Sequence, residues 1–195
     1  MKILARLLML MCLILPGVMI AGCSDDMPES VASLQSSARE SGVYRLECHN
    51  KSGQLKWQES IRNALADEGE RLFLDVTLRG AAKPTGYELR LWNDTPTETD
   101  TIATLTGEPT TGGYSPRAVE ASTVGWPTLA IDNGDYQALS KTVIWTATGG
   151  TIGPVTCITL STAETGNLVS YAPLSATRTL LDGDSLIVTY RLKMQ

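Results

Sequence analysis

From Tyr87 to its C-terminus the chain is written almost entirely in period two, and that alternation restricts it to sheet. "YELRLW" sets Tyr87, Leu89 and Leu91 against Glu88, Arg90 and Trp92, and "KTVIWTATG" sets Val143 and Trp145 against Thr142, Ile144 and Thr146. Successive side chains on a strand point to opposite faces, so such a segment buries one face only when paired in a sheet. The later segments "VTCITLS", "NLVSYAP", "ATRTLL" and "SLIVTYRL" are short, rich in β-branched residues and punctuated by "AETGN" and "DGDS". Short strands at this spacing predict a mainly β fold, an antiparallel β-sandwich of jelly-roll-like form. The polar stretches "NDTPTETDT" and "GEPTTGGYSP" are surface loops, where a rigid β framework makes its contacts.

The framework begins upstream with a hairpin. In "VYRLEC" Tyr44, Leu46 and Cys48 share a face, in "LKWQES" Leu55 and Trp57 do the same, and Asn50 and Gly53 in "HNKSGQ" supply the turn. One helix follows, near 68–79. Asp67 is the expected cap, Glu70 completes a capping box, and Gly80 ends the helix. Leu72, Phe73 and Val76 fall near one stripe, with Leu74 and Leu78 close by, and that face is expected to pack on a sheet. The folded domain is accordingly placed at 43–195.

Ahead of it the chain reads as an export signal and a tether. Lys2 and Arg6 precede the apolar run "LLMLMCLILPGVMI", which has the length of a secretory signal and is short for a membrane span. The run ends in "IAGC", similar to a bacterial lipobox, which would make residues 1–22 a lipoprotein-type signal peptide and Cys23 the lipidated residue. Each methylene buried in the bilayer contributes about 0.8 kcal/mol, so more than one acyl chain anchors firmly. Residues 23–42, acidic and then small and polar, form a flexible tether. The alternative is a buried apolar helix or a misassigned start.

Loss of Lys2 and Arg6 takes the 16 basic residues to 14 against 21 acidic ones, a formal charge of −7. A partner bound through its phosphate backbone would need a basic surface, so nucleic acid is excluded as an expectation. In an oxidising compartment Cys48 and Cys157 could form a disulfide, and two separate buried thiols are the alternative. There is no C-x-x-C and a single histidine, His49, so neither a metal nor another cofactor is expected.

Catalytic chemistry finds few candidates. His49 beside Cys48 is the sole possible base for a triad, and "CHN" reads better as a strand end and its turn. Asp132 with Asp135 in "IDNGDY", and Asp182 with Asp184 in "LDGDS", could serve glycoside hydrolysis if held about 5–9 Å apart across a cleft. Both pairs flank glycine-bearing turns, where Asp bonds its own backbone, and neither has the ligand loop of an EF-hand. Trp57 and Trp145 belong to apolar faces. Trp92, Tyr114 and Trp126, beside loops, are the candidates for stacking on a sugar or anchoring a protein contact, with packing as the alternative. Gly112 and Gly113 would let the Tyr114 loop approach a partner closely.

"GVYRLECHNKSGQLKWQESIRN", with the "DEGERLFLDVTLRG" helix after it, resembles the opening of small tailed-bacteriophage virion structural proteins. "GEPTTGGYSPRAVE", and the stretch from "TATGGTIGPVTC" through "GNLVSYAPL" to "DGDSLIVTYRL", are similar to themes of tail-fibre-associated proteins. Together these cover most of residues 42–192. The resemblance implies a non-enzymatic structural or assembly module of a phage or prophage virion, contacting other virion proteins and possible as a homo-oligomer. Such proteins begin near their first strand, and this chain departs from them in its leader. The alternative is therefore an outer-membrane-anchored lipoprotein that binds a bacterial surface protein or glycan, for example in superinfection exclusion.

Overall fold

The computed structural model describes residues 40–194, and of Glu40 the backbone alone. The expected signal peptide at 1–22, the lipidated Cys23 and the tether up to residue 39 lie outside the described residues. In chain order the elements are β1 (Glu40–His49), β2 (Leu55–Arg62), β3 (Ala64–Leu65), α1 (Asp67–Leu78), β4 (Gly86–Trp92), β5 (Arg117–Glu120), β6 (Thr128–Asp132), β7 (Asp135–Leu139), β8 (Val143–Thr146), β9 (Ile152–Thr162), β10 (Leu168–Leu180) and β11 (Ser185–Met194). β1 opens at Glu40, so residues 40–42, assigned above to the tether, are strand.

The strands form two antiparallel sheets, the mainly β, sandwich-like fold expected from the alternation. One sheet runs β2-β1-β11-β7-β6, with β8 also paired to β11, and the other runs β3-β10-β9-β4-β5. β1 and β11 pair over ten positions, from Glu40 opposite Met194 to His49 opposite Ser185. The β1–β2 hairpin forms as predicted. The Asn50 side-chain oxygen accepts from the backbone N–H groups of Ser52 and Gln54, and Gly53 takes the left-handed φ of 78° that closes the turn.

The core lies between the sheets. Tyr44, Leu46 and Cys48 of β1, Val188 and Tyr190 of β11, and Trp145 of β8 meet Leu89 and Leu91 of β4 and Ile158 of β9. The alternation in β8 is as read: Val143 and Trp145 are buried and Ile144 and Thr146 exposed. The Tyr44 hydroxyl shares a 2.7 Å hydrogen bond with Ser170 of β10, which ties the two sheets through a fully buried polar contact. Trp57 is half-buried on the edge strand β2, packed against the core, with the Arg178 guanidinium 4.5 Å above its ring.

The helix packs on β10, with Gly69, Leu72, Phe73 and Val76 forming its inward stripe. Leu74 and Leu78 face outward instead. The start of the helix differs from the expected Asp67 cap and Glu70 capping box: Ala66 occupies the N-cap position, no side chain caps, and Asp67 is the first helical residue. Tertiary contacts do that work. The Asp67 N–H donates to the Glu98 carbonyl, and the Glu68 carboxylate accepts from the Leu168 N–H of β10. Gly69 is small because it must be, since a Cβ there would stand 2.1 Å from the Val169 carbonyl oxygen. Gly80, at φ 74°, follows the Arg79 cap and ends the helix as expected.

Candidate contact site

Trp92 closes β4 on the face away from the sandwich core, yet it is only 4% exposed. The 93–107 loop folds over it, bringing Ile102 and Leu105 onto the indole beside Cys157. Trp92 Nε1 donates to Thr159 Oγ1 at 3.0 Å. The polarity that marks this stretch as a loop is also what pins it down. Asp94 accepts from the Thr95 and Thr106 N–H groups, and Asp100 from the Thr97 N–H and the Thr97 and Thr104 hydroxyls. Those bonds stabilise the ionised carboxylates and hold both below the ordinary range; for Asp94 the Thr106 N–H is the largest cause, for Asp100 the Thr97 N–H. Trp92 therefore packs within the chain and offers no contact surface.

Tyr114 is also turned inward. Its ring stacks on Trp145 with centroids 6.3 Å apart. Its hydroxyl accepts from the Leu91 N–H at 2.9 Å and donates to Glu108 Oε1 at 3.0 Å. Burial above all, with the Glu108 charge added, pushes that hydroxyl far above the usual phenol range. Glu108 in turn receives Arg90, which also binds Glu88. Gly112 is buried, and a Cβ there would clash with the Thr151 backbone, whereas Gly113 is exposed with no such close approach.

Trp126 is the member of the three that lines an open cleft. Half-buried, it meets Tyr87 and Tyr190 edge-on, each at 6.0 Å. With Phe73, Lys83, Tyr87, Ala138 and Leu192 it lines an apolar cleft of ≈ 260 Å³. Lys83 Nζ donates to the Ala121 carbonyl at the rim, and burial raises the Tyr87 hydroxyl, with Glu164 adding to it. Gly125 permits the tight approach beside Trp126, since a Cβ there would lie 2.0 Å from the Glu120 carbonyl oxygen.

The candidate acid pairs are committed to turns and ion pairs. Asp132 and Asp135 flank an Asn133–Gly134 turn, φ 50° and 90°, and both carboxylates lie near Lys193 Nζ, at 3.2 and 3.5 Å. Asp182 accepts from the Gly149 N–H, while Asp184 pairs with Lys56 and accepts from the Leu181 N–H. His49 Nδ1 lies 3.1 Å from the Gly53 carbonyl in the hairpin turn. Cys48 and Cys157 are both free and buried, in separate clusters, which favours two separate thiols over the disulfide. Desolvation raises both, Cys157 to about 12. Among the described residues no three His, Cys, Asp or Glu side chains group to hold a metal ion, and no helix is long and apolar enough to cross a membrane.

Two features escaped the sequence reading: the Trp126 cleft and the β6–β7 hairpin. The turn at Asn133–Gly134 is legible as a glycine-bearing turn, and its flanks "TLAI" and "YQAL" carry the further signal that it joins two strands.

No curated protein compared with the chain matches it. Residues 64–192, from β3 into β11, match a protein family described as Podophage GP4 fiber I protein gp80. With two thirds of its length matched, including all of the second sheet and the Trp126 cleft, the chain belongs to this family of phage fibre proteins.

Proposed function

We propose that the chain is a non-enzymatic structural module of a phage fibre that works by contact with other virion proteins or with a surface. The observation that carries this reading is the family match over residues 64–192. The side-chain inventory agrees with it: Asp132, Asp135, Asp182 and Asp184 are engaged by Lys193, the Gly149 N–H and Lys56, which leaves them turn-forming and ion-pairing roles. Of the three aromatic candidates, Trp126 lines an apolar cleft open to a partner. Protein mass spectrometry and antibody labelling of purified particles test the reading. The chain is expected at stoichiometric level on a fibre, and its absence from particles sinks the proposal.

A second reading has one observation of its own, the "IAGC" at residues 20–23. It makes the same β module a lipid-anchored surface protein that binds a receptor protein or glycan. Expression of the full chain and of Cys23→Ser in a Gram-negative host, with fractionation and intact-mass measurement, separates the two. An acylated chain starting at Cys23 favours the anchored protein, and an unprocessed chain removes that reading.

A further inference from the structure

Among the described residues five strands keep an open edge, β2, β6, β8, β3 and β5, and four of these are blunted. β8 pairs only with β11, is four residues long, and its Ile144 carbonyl accepts from Arg117 Nε. β3 is two residues long, and β5 is four, with Arg117 and Glu120 at its ends. β2 turns Lys56, Gln58, Ser60 and Arg62 to solvent. Short and charged edges are the common defences against pairing with another chain. β6, "TLAID", has five residues and no charge before its last one. Among the described residues it pairs only with β7, and its sole charge, Asp132, sits at its end beside Lys193.

The side chains of this edge are as open as its backbone. Leu129 is 73% exposed and Ile131 62%, with Tyr136, directly across on β7, at 59%. Pairing register puts these three on the face that carries Ala138 and Leu192, two residues of the Trp126 cleft. The apolar inner face of the sheet thus continues outward along the hairpin, past the point where the rest of the sandwich covers it.

We propose that β6 is a joint between two copies of this chain, each adding its β6 to the other's in an antiparallel, two-fold pairing centred on Ala130. The strand is complementary to itself in that register. Leu129 falls opposite the second copy's Ile131, and Ile131 opposite its Leu129, giving two apolar cross-strand pairs on one face. Thr128 falls opposite the second copy's Asp132, a hydroxyl donor facing a carboxylate. The two Asp132 carboxylates then stand about 14 Å apart along the strands, at ~3.4 Å per residue. A parallel, in-register pairing would stack Asp132 on Asp132 and set like charges side by side. An isologous contact of this kind closes at two copies and leaves no free strand edge at the joint. The inference rests on the surface of the fold and goes beyond the fibre role proposed above.

Cysteine scanning on the full chain tests the register, with Cys12→Ser and Cys23→Ser as the parent background. Paired antiparallel residues have Cα atoms about 4.5–5.5 Å apart, within disulfide range, so Ala130→Cys is expected to give a disulfide-linked dimer under mild oxidation. Thr128→Cys, too far from its own counterpart, is expected to stay at the parent level. Ile131→Lys, at an exposed position that leaves the core intact, is expected to halve the sedimenting mass of the unlinked parent. The proposal is overturned if Ala130→Cys links no more than the parent, if Thr128→Cys links as well as Ala130→Cys, or if Ile131→Lys leaves the mass unchanged. Presence in or absence from virions bears on the fibre role alone, so the two proposals fail separately.

Discussion

Gly69 sits inside a helix, where alanine ordinarily adds about 1 kcal/mol of stability. Here the sign reverses, because the added Cβ would meet the Val169 carbonyl of β10 at 2.1 Å. Gly69→Ala is expected to cost roughly 1–3 kcal/mol, as overpacking does, read as a lower urea midpoint at unchanged slope. Lys56 makes a comparable case through charge. Its partner Asp184 is 4% exposed, and Lys56→Met leaves that carboxylate buried without a cation. The Lys56 side chain is itself 32% exposed, so the loss is expected at roughly 1–3 kcal/mol, below that of a fully enclosed pair. Cys48 and Cys157 are buried, with thiols raised above their ordinary range chiefly by desolvation. Neither is expected to react with a thiol reagent at pH 8 until denaturant is added, and rapid native labelling at either position contradicts the packing.

The 93–107 loop and helix α1 show how the same sequence signals mean different things once neighbours arrive. Threonine and aspartate marked the loop correctly, but its closure over Trp92 depends on Asp94 reaching Thr106 across twelve residues. Alternation placed Trp92 on the outer face of β4. It could not reveal that this face is also covered, because the cover, Ile102 and Leu105, comes from a segment with no periodicity. The helix stripe was legible in Leu72, Phe73 and Val76, and its end in Gly80. Its start was not, because the bonds at Asp67 and Glu68 run to Glu98 and Leu168 rather than to a local cap. The loop carries a pH dependence. Asp94 and Asp100 are held below their unfolded value near ~4, so their contribution is complete above that pH and is lost as pH falls through the lower folded values. Hydrogen exchange at the Thr95, Thr97 and Thr106 amides is expected to quicken in that acid window before the β1–β11 ladder opens. Equal protection of loop and ladder down to global unfolding contradicts it.

The family match begins at Ala64, yet β1 occupies the middle of its sheet, between β2 and β11. It brings Tyr44, Leu46 and Cys48 to the core and covers ten residues of β11. Deleting residues 40–62 from this chain is therefore expected to abolish cooperative folding, seen as loss of the near-ultraviolet circular dichroism and a gain in dye binding. A shortened chain that melts cooperatively at the parent temperature would show the hairpin to be dispensable. The β1–β11 pairing also sets how the molecule would carry load. Glu40 stands opposite Met194, so both ends of the described chain leave from one corner. Tension applied to those two ends would peel β1 from β11 like a zipper, each pair of hydrogen bonds meeting the full force in turn rather than sharing it. Any filament in which this module bears a pull must route that pull through its flanks, and its two ends can serve as a single point of attachment.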